Sequence, residues 1–298
     1  TMKLKLLLLL IVGISFRLSA QTHTEKIAKE FSFEKKGSHN ALMIANINGD
    51  IILKASDGDK IQVEVTKSIR AKTDGRLESG KAEIQLGVVD LADTIILYVS
   101  SPCNHFEKSS PKSRHSHMGT KWGYTWEDRG RSCHEMYDYT MDFIVRIPSD
   151  VNVLLSTIND GEVVVENVKG VVKAHNINGG IRLQNLMKEA EAHTINGDVD
   201  IEYSQNPQRD CRFYTLNGDI NAIFQKGLAA SMGFQSFNGE LYTNIDRLET
   251  LPVQVEKKEK QGSTKYKVIT NRFKIGAGGA FLDFETFNGN VYVKEKIN

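Results

Sequence analysis

The sequence predicts an all-β fold: a single-stranded β-solenoid of either hand, flat with two strands per coil. It carries an irregular β N-terminal part and two inserted loops or hairpins. Three observations predict it. An Asn-Gly pair recurs along the chain. The residues around each pair alternate apolar and polar with a period of two. When the copies are aligned on the Asn, whole columns keep one chemical type.

The first twenty residues stand apart. Lys3 and Lys5 precede an apolar run from Leu6 to Phe16, and Ser19-Ala20 precedes Gln21. A basic start, an apolar run of ~7–15 residues and a small-residue site make a secretory signal peptide, whereas a bilayer span needs ~20 apolar residues. Residues 1–20 are therefore expected to be cleaved after Ala20. No later stretch is apolar and long enough to cross a membrane, and no Cys follows the cut to take a lipid. The expected address is the periplasm, the outer cell surface or the medium.

Residues 21–150 form the N-terminal β region. Strands are predicted in "EFSF", "ALMIANINGDIILKAS" and "KIQVEVTKS", and a short helix, weakened by Gly75 and Gly80, within 67–82. "KAEIQLGVVDLADTIILYVSS" reads as two strands about a turn near Leu91–Asp93. Cys103 and Cys133 then bracket a loop-like insertion, 103–133. Export permits disulfides, and closing this loop is worth roughly 3 kcal/mol or somewhat more in unfolded-state entropy. Cys211 is left over, and its place in the repeat predicts a buried thiol.

The repeats of 151–298 follow without a linker. Asn48-Gly49, Asn178-Gly179, Asn196-Gly197, Asn217-Gly218, Asn238-Gly239 and Asn288-Gly289 are joined by a longer copy, Asn159-Asp160-Gly161; from Asn159 the gaps are 19, 18, 21, 21 and 50. Two residues before the Asn stand Asn46, Thr157, Asn176, Thr194, Thr215, Ser236 and Thr286, all small and polar. Four before stand Ile44, Leu155, Ala174, Ala192, Phe213, Phe234 and Phe284, all apolar. Period two marks a strand with one buried face. Asn-Gly suits the turn because both residues tolerate positive φ. A meander of hairpins would satisfy the alternation too, but nothing in it would hold the small polar column. Coils stacked about 4.8 Å apart would lay that column along an inner ladder. Each coil is too thin to bury its own face, so several must stack. Before the last copy, about 248–278, "LPVQVEKK" and "KYKVITNRFKI" predict a projecting hairpin, whose lysines are read as solvating an edge.

Composition and spacing exclude several functions. Thirty-eight basic residues against 37 acidic leave a net charge of only +1, and nucleic-acid partners demand clustered basic surface. Acids follow most turns (Asp50, Glu162, Asp198, Asp219, Glu240), but calcium-binding nonapeptide repeats need a denser glycine and Asp pattern, so turn chemistry is the simpler reading. The Cys/His spacing of the insertion (Cys103, His105, Cys133, His134) is poor for zinc. No catalytic, cofactor-binding or metal-ligating residue is assigned. Trp122, Tyr124 and Trp126 alternate, so an extended segment places them on one face; this candidate recognition loop would stack on a partner or pack down on the sheet. His175 and His193 occupy equivalent outward positions, where they would stack.

The segment "MDFIVRIPSDVNVLLSTINDGEVVVENVKGVVKAHNINGGIRLQNL" and the ending "GAGGAFLDFETFNGNVYVKEK" resemble a bacterial family of adhesin-like β-solenoid proteins, by strand, Thr/Ser-x-Asn-Gly, strand repeats. The resemblance covers about residue 140 to the end. It implies an exported envelope protein of the Bacteroidetes type and no catalytic residues. The expected function is a non-enzymatic scaffold presenting loops to a protein or glycan on the cell surface. The alternatives are a structural or regulatory envelope protein without a small ligand, and a β-helical enzyme acting on polysaccharide. The last would need two positioned titratable groups, and no basic residue recurs beside the turn acids.

Overall fold

Residues 20–108, 124–128, 133–260, 263–269 and 271–297 are described by a computed structural model. In chain order the N-terminal part forms β1 (Gln21–Phe31), β2 (Ala41–Ala45), β3 (Ile51–Ser56), β4 (Ile61–Ala71), α1 (Asp74–Glu83), β5 (Gln85–Asp90), β6 (Thr94–Ser100), β7 (Asn104–Lys108), β8 (Tyr124–Asp128) and β9 (Asp138–Pro148). The repeats form β10 (Asn152–Ser156), β11 (Val163–Glu166), β12 (Val172–His175), β13 (Ile181–Leu186), β14 (Ala190–His193), β15 (Val199–Tyr203), β16 (Cys211–Asn217), β17 (Ile220–Phe224), β18 (Ala230–Gln235) and β19 (Leu241–Thr243). Then come β20 (Leu248–Thr250), β21 (Gln254–Lys260), β22 (Ser263–Ile269), β23 (Arg272–Ile275), β24 (Ala280–Asn288) and β25 (Val291–Glu295).

The protein is all-β, with two large sheets. One runs β1-β4-β9-β3-β11-β13-β15-β17-β25-β19, the other β20-β23-β18-β24-β16-β14-β12-β10-β2-β6-β5. Each Asn-Gly unit gives one strand to each sheet, and neighbouring units pair in parallel, as in Ala174↔Ala192 and Ile181↔Val199. Antiparallel meander pairing between successive units is therefore ruled out. The alternate residues of both sheets face one shared core, through Leu155, Phe213 and Phe284 from one side and Val165, Leu183 and Ile201 from the other. Each such aliphatic or aromatic burial is worth ~1.5–3 kcal/mol.

Stacking order departs from chain order twice. β6 and β9 pair in parallel outside β2 and β3, although they follow them in sequence. They make an additional unit, whose corner is occupied by the cysteine-bracketed insertion instead of an Asn-Gly turn. At the other end β24 and β25 slide between β16/β17 and β18/β19. The spatial sequence of turns is thus Asn48, Asn159, Asn178, Asn196, Asn217, Asn288, Asn238.

The turn itself differs from expectation. Among the described residues the positive-φ positions other than glycine are Asp160, Asn167 and Asn185, so no repeat Asn takes that conformation. A parallel stack has no hairpin to reverse, and the Asn side chains are used along the stack instead. Glycine is demanded by contact. A Cβ on Gly161, Gly179, Gly197, Gly218, Gly289 or Gly239 would strike the carbonyl of the turn glycine one unit below. That carbonyl also receives the buried polar column: Thr194 Oγ1 donates to Gly179 O at 2.8 Å, Thr215 to Gly197 O at 2.8 Å and Asn176 Nδ2 to Gly161 O at 2.8 Å. The small polar residues therefore bond to backbone rather than to each other.

The helix is shorter than the predicted window, because residues 67–71 complete β4. Thr73 caps its start. At its end the buried ammonium of Lys67 donates to Lys81 O at 3.3 Å and Ile84 O at 3.2 Å and pairs with Glu25 at 2.9 Å. Cationic groups favour that end of a helix. β21 and β22 form the expected hairpin, while β23 extends the second sheet antiparallel to β18 and β20 pairs antiparallel with β23 at its edge.

Candidate functional site

The turn acids have structural partners. Asp50 Oδ1 accepts the Glu162 N–H at 2.8 Å, Asp198 Oδ1 that of Asp219 at 2.8 Å, and Asp219 Oδ1 that of Asn290 at 2.7 Å. Each acid thus tethers the next unit. Among the described residues no cluster of three or more His, Cys, Asp or Glu is placed to hold a metal.

The insertion is closed by the Cys103–Cys133 disulfide. Of its predicted platform, Trp122 lies outside the described residues; of Trp126 only the backbone, paired with Phe106, is described. Tyr124 stacks on Phe106 with centroids 5.6 Å apart, and Phe106 stacks on Tyr98 of β6 at 5.0 Å. Tyr98 in turn covers Gly87, where a Cβ would meet its ring. The aromatic face of β7 and β8 is therefore packed onto the sheet, at least through Tyr124.

His175 and His193 stack as expected, at 5.7 Å, and His193 meets Tyr214 edge-on at 4.4 Å. Burial, then Arg212, lowers the pKa of His193. Cys211 is buried; its Sγ lies 3.2 Å from the Tyr203 hydroxyl, and burial raises its pKa. Two open clefts carry charged side chains. One of about 610 Å³ beside the disulfide is lined by Arg70, Glu135, Asp138 and Asn48; one of about 650 Å³ on the opposite edge carries Lys169, Lys188, Arg209 and Glu189.

The distinctive site lies on the corner itself. Asn178 donates to Asn159 at 3.1 Å, Asn196 to Asn178 at 2.8 Å, Asn217 to Asn196 at 2.9 Å, Asn288 to Asn217 at 2.7 Å and Asn238 to Asn288 at 2.8 Å, while Asn159 reaches Asn48 at 3.2 Å. One carboxamide ladder therefore runs through all seven Asn-Gly units, from Asn48 to Asn238. Beside it, one residue earlier, runs an apolar column: Ile47, Ile158, Ile177, Ile195, Leu216, Phe287 and Phe237. Exposure climbs along it, from 6% at Ile47 to 44% at Phe287 and 73% at Phe237. The two Phe rings are stacked, with centroids 4.8 Å apart and planes within 3° of parallel. Across the turn Tyr242 and Tyr292 form a matching pair at 5.2 Å and 14°.

This aromatic corner was missed in the sequence, where Asn238, Gly239, Asn288 and Gly289 figured as turns alone. The signal is present: "FNGELY" at 237–242 and "FNGNVY" at 287–292 are the aromatic versions of the motif. They stand 50 residues apart, and the inserted position of β24 and β25 makes them neighbours.

No protein-family model matches the chain, and no curated protein matches it. Among solved structures, a candidate cell adhesion protein from Clostridium sporogenes has 10% identity and a TM-score of 0.43, over 92% of this chain and 100% of that one. A candidate adhesin from Bacteroides fragilis has 12% identity and a TM-score of 0.34, over 91% of this chain and 97% of that one. Likeness at those scores bears no functional argument.

Proposed function

We propose that this chain is an exported, non-enzymatic envelope protein, a single-stranded β-solenoid whose rigid stack displays a binding surface to a protein or glycan partner in the manner of an adhesin. The single observation that carries the reading is the aromatic corner. Exposed Phe and Tyr in parallel pairs are held by a continuous ladder of hydrogen bonds, and rigid exposed aromatics are the usual anchors of recognition. Large apolar side chains left in water mark an interaction site more readily than a structural one.

Three further features support it. The turn acids Asp50, Asp198 and Asp219 are consumed in tethering one unit to the next, which leaves them poorly suited to acid–base work. The Cys103–Cys133 disulfide suits an oxidising compartment. Strand β1 begins at Gln21, immediately after the expected cleavage site. The test is fractionation of the native host with an antibody to the chain, together with adherence of the purified protein to wells coated with mucin, fibronectin or collagen. Export and saturable adherence are expected. A cytoplasmic protein, or one that adheres to nothing, would refute the proposal.

A further inference from the structure

The stack ends on an open rung. Every repeat Asn but the last gives its Oδ1 to the carboxamide of the next unit, whereas Asn238 Oδ1 receives no hydrogen bond among the described residues. Gly197, Gly218 and Gly289 donate their N–H to the Asn carbonyl of the next unit, at 3.0, 3.0 and 3.1 Å; the Gly239 N–H has no such acceptor among the described residues. Phe237 and Tyr242 end their columns too. One ring face of each is covered by Phe287 or Tyr292, and the other points off the end of the sheet, where β19 is the edge strand. A polar centre with one spare acceptor and one spare N–H thus lies between two bare aromatic faces.

We infer that this open rung binds sugar rings of a neutral polysaccharide, an inference that rests on the binding role proposed above and names its ligand. A pyranose matches the pattern. Its C–H face is apolar and flat enough to lie on an aromatic ring, and its hydroxyls donate and accept at the rim, as Asn238 and Gly239 require. Size argues for a sugar over a protein. A stable protein interface needs roughly 800 Å² from each partner, and the rung is a single strand deep, about 4.8 Å, on a three-residue strand. Charge argues for neutrality. Glu240, bonded to the Tyr242 hydroxyl at 2.8 Å, supplies a carboxylate that repels an acidic chain, and the Lys294 ammonium is taken up over the Tyr292 ring at 5.4 Å.

The test is affinity electrophoresis of the purified chain through gels holding soluble mannan, xylan, galactomannan or mixed-linkage β-glucan, with alginate as the acidic comparison. At least one neutral polymer is expected to retard the protein, and alginate is not. Phe237→Leu and Tyr242→Ala should each weaken retardation about tenfold, the size of one lost anchor, while His175→Ala leaves it unchanged. Sheet spectra and urea midpoints identify any variant that fails to fold, and Asn238→Ala, which removes no ring, serves in its place with a smaller expected loss. The inference is overturned if no neutral polymer retards the folded wild-type chain, if alginate alone does, or if the variants bind as well as wild type. Sedimentation showing a dimer abolished by Phe237→Leu, with no retardation, would assign the rung to a second copy instead. Adherence to protein-coated wells without retardation would sink this inference and leave the proposed function standing; absence of both would sink the two together.

Discussion

Three glycines separate the two reasons a turn can require one. Gly227 has φ +87° and open space around its Cβ position. Gly161 lacks a positive φ, yet a Cβ there would strike the Gly49 carbonyl. Gly197 has φ +152°, and a Cβ would meet the Gly179 carbonyl. Substituting Ala at Gly227 adds left-handed strain alone, ~1–2 kcal/mol. At Gly161 it adds an overlap against backbone that no side-chain rotation relieves, ~1–3 kcal/mol. At Gly197 the two combine. The shifted turn also strains the bond from Thr215 Oγ1 at 2.8 Å and that to Asn217 O at 3.0 Å, each worth ~0.5–1.5 kcal/mol. Gly197→Ala should therefore cost roughly 3–5 kcal/mol, more than either other variant. Gly37→Ala, with no atom within 4 Å, is the neutral reference. Urea unfolding followed by circular dichroism measures the differences as midpoint shifts at constant slope. If Gly161→Ala proves neutral, or Gly227→Ala costs as much as Gly197→Ala, close stacking of the turns is not what selects glycine.

Further outcomes follow from the same contacts. Asn196→Ala removes two ladder bonds and Asn238→Ala one, so by urea midpoints the former should lose about 1–2 kcal/mol and the latter at most about half as much, the bonds being exposed. Reducing Cys103–Cys133, which closes 30 residues of separation, should lower stability by about 3–4 kcal/mol on the loop-entropy estimate; before reduction, thiol titration should find Cys211 reactive only in denaturant. Lys67→Met should cost about 2–3 kcal/mol, because the helix-end carbonyls and Glu25 lose a buried partner. Hydrogen bonding and charge from Lys67 lower the pKa of Glu25 beneath 4.5. Its stabilisation is therefore complete above that value and vanishes as pH falls through the depressed folded value, so the acid limb of a stability profile should be shallower in Glu25→Gln. His193, held below 6.5 by burial, works in the same sense. Folding favours its neutral form, and stability should fall as pH drops beneath 6.5, which imidazole shifts in NMR titration can locate.

Much of the local architecture was legible because a period of two and a column of like residues are both one-dimensional signals. The inward column at Ile44, the turn near Leu91–Asp93, the hairpin of β21 and β22 and the buried Cys211 needed only neighbours in sequence. The positive-φ reading of Asn failed for a related reason. Dipeptide preference describes an isolated turn, whereas these carboxamides answer to the unit above and the unit below.

The order of the stack is another matter, since every unit presents almost the same edge to its neighbours. Parallel pairing between Thr/Ser-x-Asn-Gly units is nearly degenerate in backbone terms, so the alternation cannot say whether Asn217 should meet Asn238 or Asn288. Side chains break the tie. Cys211, Phe213 and Tyr214 face Leu282, Phe284 and Glu285 across β16 and β24, and Arg212 pairs with Asp283 at 3.6 Å and Glu285 at 3.2 Å. The β18 alternative would set Gly233 and Gln235 in those two places, leaving Arg212 without either carboxylate. The same choice carries Phe287 beside Phe237 and Tyr292 beside Tyr242. The aromatic corner is thus a product of a feature that a linear reading of the repeats cannot reach, the insertion of the last unit before the end of the stack. A swap of charge, Arg212→Glu with Asp283→Arg and Glu285→Arg, preserves the pairing and should preserve the parallel Phe pair. Arg212→Glu alone sets three acids together and should loosen β24, and the near-ultraviolet aromatic signal of the corner would weaken with it.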